Sequence, residues 1–189
     1  MNRLHQSLLI GSTILASWLG MQAIHEFGHV VGAWATGGTV SQVVLSPLTI
    51  SRTDLAQNPS PLMVVWMGPI LGVIIPLLLW LLGRLIKMPG SYVLRFFAGF
   101  CMIANGLYIG VGTFDRVGDC GVMLRNGSPE WHLWLFGALT APAGLWLWHQ
   151  QGIHFGLGRA NGQVDKRVAY GVCVISMMLL VLAFIVDGV

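Results

Sequence analysis

Two histidines four residues apart, with a glutamate directly after the first, are the residues in this chain whose types and spacing point most directly to chemistry. They stand in His25-Glu26-Phe27-Gly28-His29. On a helix, positions i and i+4 share a face, so two imidazoles there converge on one metal ion. Glu26 falls at the edge of that face. It can take a proton from a water that the metal polarises without binding the metal itself. Two histidines and one oxygen ligand, with a position left for water, form a donor set that suits zinc. Glu26 is one of only two glutamates, the other being Glu130. It lies in a long apolar run, where a carboxylate is costly unless something compensates it and so marks a functional site.

Such a site needs a third protein ligand. Asp115, Asp119, Glu130, His132, His149 and His154 are the candidates. His25 lies about 25 Å along a helix from Leu8, at about 1.5 Å per residue, so the motif falls toward the far face of a first span. A third span runs the same way, and Asp115 and Asp119 follow its end directly. His149 and His154 follow a fourth span that exits on the opposite face. His132 begins that span on the correct face and stays a weaker choice. Asp119 is favoured over Asp115, because Val117-Gly118-Asp119-Cys120-Gly121 sets it at a glycine-flanked turn before an apolar half-helix. Asp115 stays open as the alternative.

These residues must be held by a membrane scaffold. Of 189 residues, 55% are apolar and only 9% are charged, against about 25% charged in an average soluble domain. That excludes a solvated globular domain and excludes disorder more firmly. The net charge of +3 reflects scarce acids, and no Lys/Arg cluster has the density of a nucleic-acid surface. Cys101, Cys120 and Cys173 are widely spaced and form no disulfide framework or CxxC pair. Five stretches qualify for the ~20 predominantly apolar residues that a bilayer requires. They run from about Leu8 to Trp34, Pro61 to Ile86, Tyr92 to Thr113, Trp131 to His149 and Val168 to Val186. The expected class is an all-α polytopic membrane protein of about five transmembrane helices, a single domain over residues 1–189. A cleaved secretory signal is the poorer reading of the N-terminus, because the apolar segment carries on to Trp34.

The loops differ in character. Residues 37–60 open with Gly37-Gly38, continue in β-branched residues from Thr39 to Ile50, and reach a polar turn at Gln57-Asn58-Pro59-Ser60. They predict a short β-hairpin or edge strand at the membrane surface. Residues 84–91 form a tight basic turn. Residues 114–130 hold Asp115, Asp119 and Glu130, and residues 150–167 are glycine-rich and basic. With five spans, one side collects Arg3, Arg84, Lys87, Arg159, Lys166 and Arg167, and Arg95 lies just inside the third span. The other side collects Arg52, Arg116 and Arg125. The positive-inside rule then puts the N-terminus in the cytoplasm. Trp66, Trp80, Trp131 and Trp148 lie near span ends, where aromatic belts form.

His-Glu-Phe-Gly-His within an apolar helix resembles the site-2 protease family of intramembrane zinc metalloproteases. That family carries a second motif, Asp-Gly-Gly followed by aliphatic residues, and its aspartate is the third zinc ligand. Asp119-Cys120-Gly121-Val122-Met123-Leu124 is similar, with Cys120 in place of the first glycine. The resemblance implies His25, His29 and Asp119 as zinc ligands and Glu26 as the catalytic base. Gly68-Pro69-Ile70-Leu71-Gly72 resembles the Gly-Pro segment that follows the surface hairpin in the family. The resemblance covers the order of elements across most of residues 8–125, on motifs of fewer than about twenty residues. The family commonly has an Asn and a Pro a few residues before the aspartate. Here Asn105 stands further upstream, inside the third span, with no proline between it and Asp119. It is expected to meet substrate backbone, orient a metal ligand, or form an inter-helix hydrogen bond. Residues 131–189 match no motif. The family places its zinc toward the cytoplasm, whereas basic-residue counting puts this site toward the outside.

The function expected is that of a hydrolase: a zinc metalloendopeptidase acting on membrane-embedded or membrane-adjacent peptides that unwind locally before cleavage. An extended substrate could add to the edge of the 39–53 stretch. The alternatives are a catalytically silent membrane scaffold or sensor of the same fold, and a haem-binding membrane protein using two of the histidines.

Overall fold

A computed structural model describes residues 2–187. The chain forms α1 (Asn2–Ala35), a hairpin of β1 (Thr39–Val44) and β2 (Arg52–Gln57), then α2 (Pro61–Leu85), α3 (Ser91–Asp115), a short α4 (Gly118–Arg125), α5 (Glu130–Trp148) and α6 (Lys166–Asp187). Two 3-10 turns, Gly152–Phe155 and Gly158–Ala160, join α5 to α6. The expected class holds: a largely helical chain with one small antiparallel sheet.

Four segments are long and apolar enough to cross a membrane among the described residues: Arg3–Ala35, Pro61–Leu85, Ser91–Asp115 and Lys166–Val186. The expected count of five is therefore corrected to four. The stretch expected as the fourth span is helical, as α5, but falls short of the other four in hydropathy. Glu130, His132 and four tryptophans (Trp131, Trp134, Trp146, Trp148) dilute its leucines and alanines. This helix still runs antiparallel along α3 for most of its length. Trp134 Nε1 donates to Thr113 Oγ1 near one end, and Trp148 Nε1 donates to the Phe96 carbonyl near the other, both at 2.9 Å. Between them the backbones nearly touch: a Cβ on Gly137 would stand 2.9 Å from Gly110 Cα. Small residues permit that approach.

The same device joins α1 to α2. Any side chain on Gly28 would strike the Met67 carbonyl, and one on Gly32 would stand 2.9 Å from Val64 Cα. Pro61 starts α2 at a position where its missing N–H costs nothing. A left-handed turn at Lys87 and Gly90 reverses the chain into α3, as the tight basic loop predicts.

The hairpin pairs Val43 with Thr53 and Val44 with Arg52. It folds back beside α1. Trp18 Nε1 donates to the Pro47 carbonyl (3.1 Å) and Gln22 Nε2 to the Ser46 carbonyl (3.3 Å). Gln22 Oε1 accepts from the Ser51 amide (2.9 Å) and hydroxyl (2.7 Å). The tip thus reaches roughly 25 Å back along α1 from its C-terminal end, at about 1.5 Å per residue. Polar backbone beside an apolar helix is tolerated where it lines a cavity, and the hairpin does so through Ser51 and, in β2, Arg52, Thr53 and Leu55.

Candidate metal centre

α1 presents His25 and His29 one turn apart on one face, with ring centroids separated by 4.8 Å. α2 backs that face. A side chain on Gly68 would collide with the His29 ring, so the glycine is what lets the imidazole lie flat against α2. Asp119 arrives from the far end of α3. Arg116 and Gly118 both take left-handed backbone (φ 55° and 56°), which turns the chain sharply from α3 into α4. Tyr108 of α3 receives the turned chain: its hydroxyl accepts from the Asp119 amide at 3.2 Å. Asp119 Oδ2 then lies 2.8 Å from His25 Nε2 and 3.4 Å from His29 Nε2. One donor atom from each residue falls within 4.8 Å of the others.

The remaining ring nitrogens are already committed. Asn105 Nδ2 donates to the Cys101 carbonyl at 2.9 Å, so its Oδ1 is left as the acceptor. His25 Nδ1 therefore donates to Asn105 Oδ1, across 2.6 Å. His29 Nδ1 donates to the Val64 carbonyl across 3.0 Å. With both Nδ1 atoms carrying protons, both neutral rings turn an Nε2 lone pair toward the Asp119 carboxylate. Three electron-rich atoms facing one point need a cation between them, either extra protons or a metal. Oxygen acceptors behind metal-binding histidines orient such rings and raise their basicity. The donor set therefore fits a divalent metal. Where extra protons supply the cation, burial pushes the Asp119 carboxyl up, but hydrogen bonds from His25 and His29 and their charge outweigh it. The carboxyl is held below the ordinary carboxylate range.

Glu26 is buried at 5% exposure and is not one of the converging donors. Thr53 of β2 holds it, donating from Oγ1 to Glu26 Oε2 at 2.7 Å. The glutamate is thus fixed beside the cluster with its other carboxylate oxygen uncommitted to Thr53. Asn105, 1% exposed, stands behind the His25 ring, in a bond that joins α3 to α1. Gly72 makes room for it, since a Cβ there would sit 2.9 Å from the amide.

The other candidate ligands lie elsewhere. Asp115 is exposed at the end of α3. Glu130 pairs with Arg116 at 2.5 Å, and His132 packs against Trp131. His154 stacks on Tyr92 near the start of α3, and the His149 carbonyl accepts from Arg95 at 3.2 Å. Cys120, standing where the resemblance has a glycine, is fully buried. Its thiol donates to the carbonyls of Tyr108 (3.3 Å) and Ile109 (3.5 Å), and burial pushes its pKa up to about 11. It docks α4 on α3 and offers no thiolate to a metal.

Sequence reasoning missed Thr53, Tyr108 and the Trp18–Gln22 anchor. A signal existed for the last: Trp18, Gln22 and Glu26 recur every four residues, and Gln22 is an amide inside an apolar helix. Nothing in the strand singles out Thr53. No protein-family model, curated protein or solved structure matches this chain.

Proposed function

We propose that this chain is a minimal intramembrane zinc endopeptidase, as the site-2 protease resemblance implies. One observation carries the reading. Two Nε2 atoms and a carboxylate oxygen converge, each ring is oriented by an oxygen behind it, and a buried glutamate stands beside them. His25, His29 and Asp119 would hold the zinc, which when bound supplies Lewis acidity toward a peptide carbonyl and toward water. Glu26 accepts the proton released by the attacking water and delivers it to the leaving amine. Thr53 keeps one Glu26 oxygen occupied and fixes the direction of the other. The four apolar helices supply the lipid-facing scaffold, and the protein resides in a cell membrane. The substrate is a membrane-spanning or membrane-adjacent peptide, locally unwound so that its carbonyls are free of helical hydrogen bonds. The edge of β2 that has no strand partner offers such a segment backbone pairing.

Elemental analysis of the detergent-purified protein tests the site. About one zinc per chain is expected in the wild type and in Glu26→Gln, and far less in Asp119→Ala. Full zinc retention in Asp119→Ala would remove Asp119 from the ligand set. Cleavage of a co-expressed membrane substrate should fall about 10²–10⁴-fold in Glu26→Gln, the usual worth of a general base. Unchanged cleavage would remove the mechanism, and a Soret band in place of zinc would replace the reading with haem binding.

A further inference from the structure

The cavity beside the metal cluster is larger than an ion and a water require. Its volume is about 600 Å³, within the ~300–1,000 Å³ of pockets that enclose a sizeable ligand. His25, Glu26, His29 and Asp119 line one part of it, and Trp18 and Met21 line another. Met21 and Trp18 precede His25 by one and two turns on the same helix face. Trp18 therefore stands about 10 Å further along α1. Ala104 of α3 and Ile50 at the hairpin tip line the cavity as well.

The polar groups that α1 turns toward this arm are already engaged. The Gln22 amide is bonded to Ser46 and Ser51. The Trp18 indole N–H is bonded to Pro47, which also holds the ring in place. Arg52, the one Lys or Arg lining the cavity among the described residues, pairs with Asp54 at 3.1 Å. A charged or amide side chain entering the arm would lose its water and find no partner. A small one would leave the apolar walls unfilled.

We propose that this arm receives the substrate side chain next to the scissile bond and makes the site select a large apolar residue there. Trp18 and Met21 set the size limit. The proposal rests on the zinc endopeptidase reading and deepens it to a substrate class.

Hydroxamates test it, because that group chelates zinc while the neighbouring side chain can be varied. Three probes carry methyl, isobutyl or benzyl, and their dissociation constants are measured calorimetrically on the zinc-loaded protein in detergent. Burial strengthens binding about fourfold per methylene, so benzyl should bind at least tenfold tighter than methyl. Met21→Trp, which fills the arm, should bring the benzyl-to-methyl ratio toward one. Ala104→Phe fills it from α3 and serves if Met21→Trp does not fold. Trp18→Ala should move the optimum to a naphthylmethyl probe. Equal affinity across the wild-type series overturns the pocket, even with zinc present and the methyl probe bound. So does a ratio that both filling variants leave unmoved. A wild type that holds no zinc and binds no methyl probe overturns the zinc endopeptidase reading, and the pocket falls with it.

Discussion

The two ends of the helical assembly hold themselves together differently. At the end carrying the candidate metal centre, buried polar side chains bond to one another across four elements. His25 and His29 of α1, Asn105 of α3 and Asp119 of α4 form one connected set, and Thr53 of β2 holds Glu26 beside it. At the other end an apolar cluster of Leu9, Phe155, Ala169 and Val172 joins the elements, Tyr92 stacks on His154 at 4.8 Å, and the polar contacts are separate ones, Gln6 to the Phe155 and Gly156 carbonyls and His5 to Tyr170. The charged residues there, Arg3, Arg84, Lys87, Arg159, Lys166 and Arg167, are exposed. A connected buried network makes each member depend on its neighbours, whereas dispersed apolar packing with exposed charge does not. The first end should therefore respond to single substitutions through metal content, and the second only through modest stability changes.

Gly68→Val should break the comparison most severely at the metal end. The new side chain would occupy the space of the His29 ring. Overpacking typically costs about 1–3 kcal/mol, and here it also displaces a ligand. Zinc content by elemental analysis should collapse along with a lower thermal midpoint. Val172→Ala at the other end should lower the midpoint and leave zinc at about one per chain. Zinc retained in Gly68→Val would mean that the α1–α2 contact does not position His29.

Asn105→Ala comes next. It removes the acceptor behind His25 and leaves the ring free to rotate or change tautomer. Loss of such a partner typically weakens metal affinity about 10–100-fold, measurable by competition with a chelator of known affinity. Asn105→Asp keeps an acceptor and should recover much of the loss. A plain inter-helix hydrogen bond would give equal stability losses in the two variants and no difference in zinc affinity.

Those two residues were not equally legible in the sequence. The helical spacing of His25 and His29 and the glycine-flanked aspartate are local patterns, and local patterns survive into the fold. The alternation of apolar stretches and loops gave the element order for the same reason. Asn105 was visible only as an amide out of place in an apolar span. Its partner depends on how α3 packs against α1, which no local pattern encodes. Thr53 was invisible because a threonine in a strand is ordinary, and its role arises from the hairpin folding back along α1. The fold-back of the hairpin along α1 was not legible because the anchors at Trp18 and Gln22 are tertiary contacts. The span count failed at α5 because apolarity and helix packing are separable. Tryptophans lower its hydropathy while their indole N–H groups, bonded to Thr113 and Phe96, fasten it to α3.

Thr53→Val isolates the base from the metal. It keeps the β-branched shape and removes the hydroxyl that donates to Glu26 Oε2. Hydrogen bonds to charged groups are worth about 1.5–3 kcal/mol, so cleavage of a membrane substrate should fall roughly tenfold or more. Zinc content should stay at the wild-type level, because Thr53 touches no ligand. An unchanged cleavage rate would show that packing in the cavity alone fixes Glu26.

The smallest effect is expected from Arg116→Ala, although it lies at the metal end and only three residues before Asp119. Arg116 and Glu130 form a close ion pair, but their side chains are 67% and 40% exposed. Exposed pairs contribute about 0.2–1 kcal/mol, and salt screens them. The left-handed backbone at Arg116 (φ 55°) is mildly disfavoured for alanine as for arginine, so the turn into α4 should survive. Zinc content and cleavage should stay within about twofold of wild type, with any stability loss shrinking as salt is raised. Arg167→Ala at the opposite end should behave the same way. If so, sensitivity follows burial and connection and not position along the helices. A large loss of zinc in Arg116→Ala would instead show that the ion pair sets the α3–α4 turn that delivers Asp119.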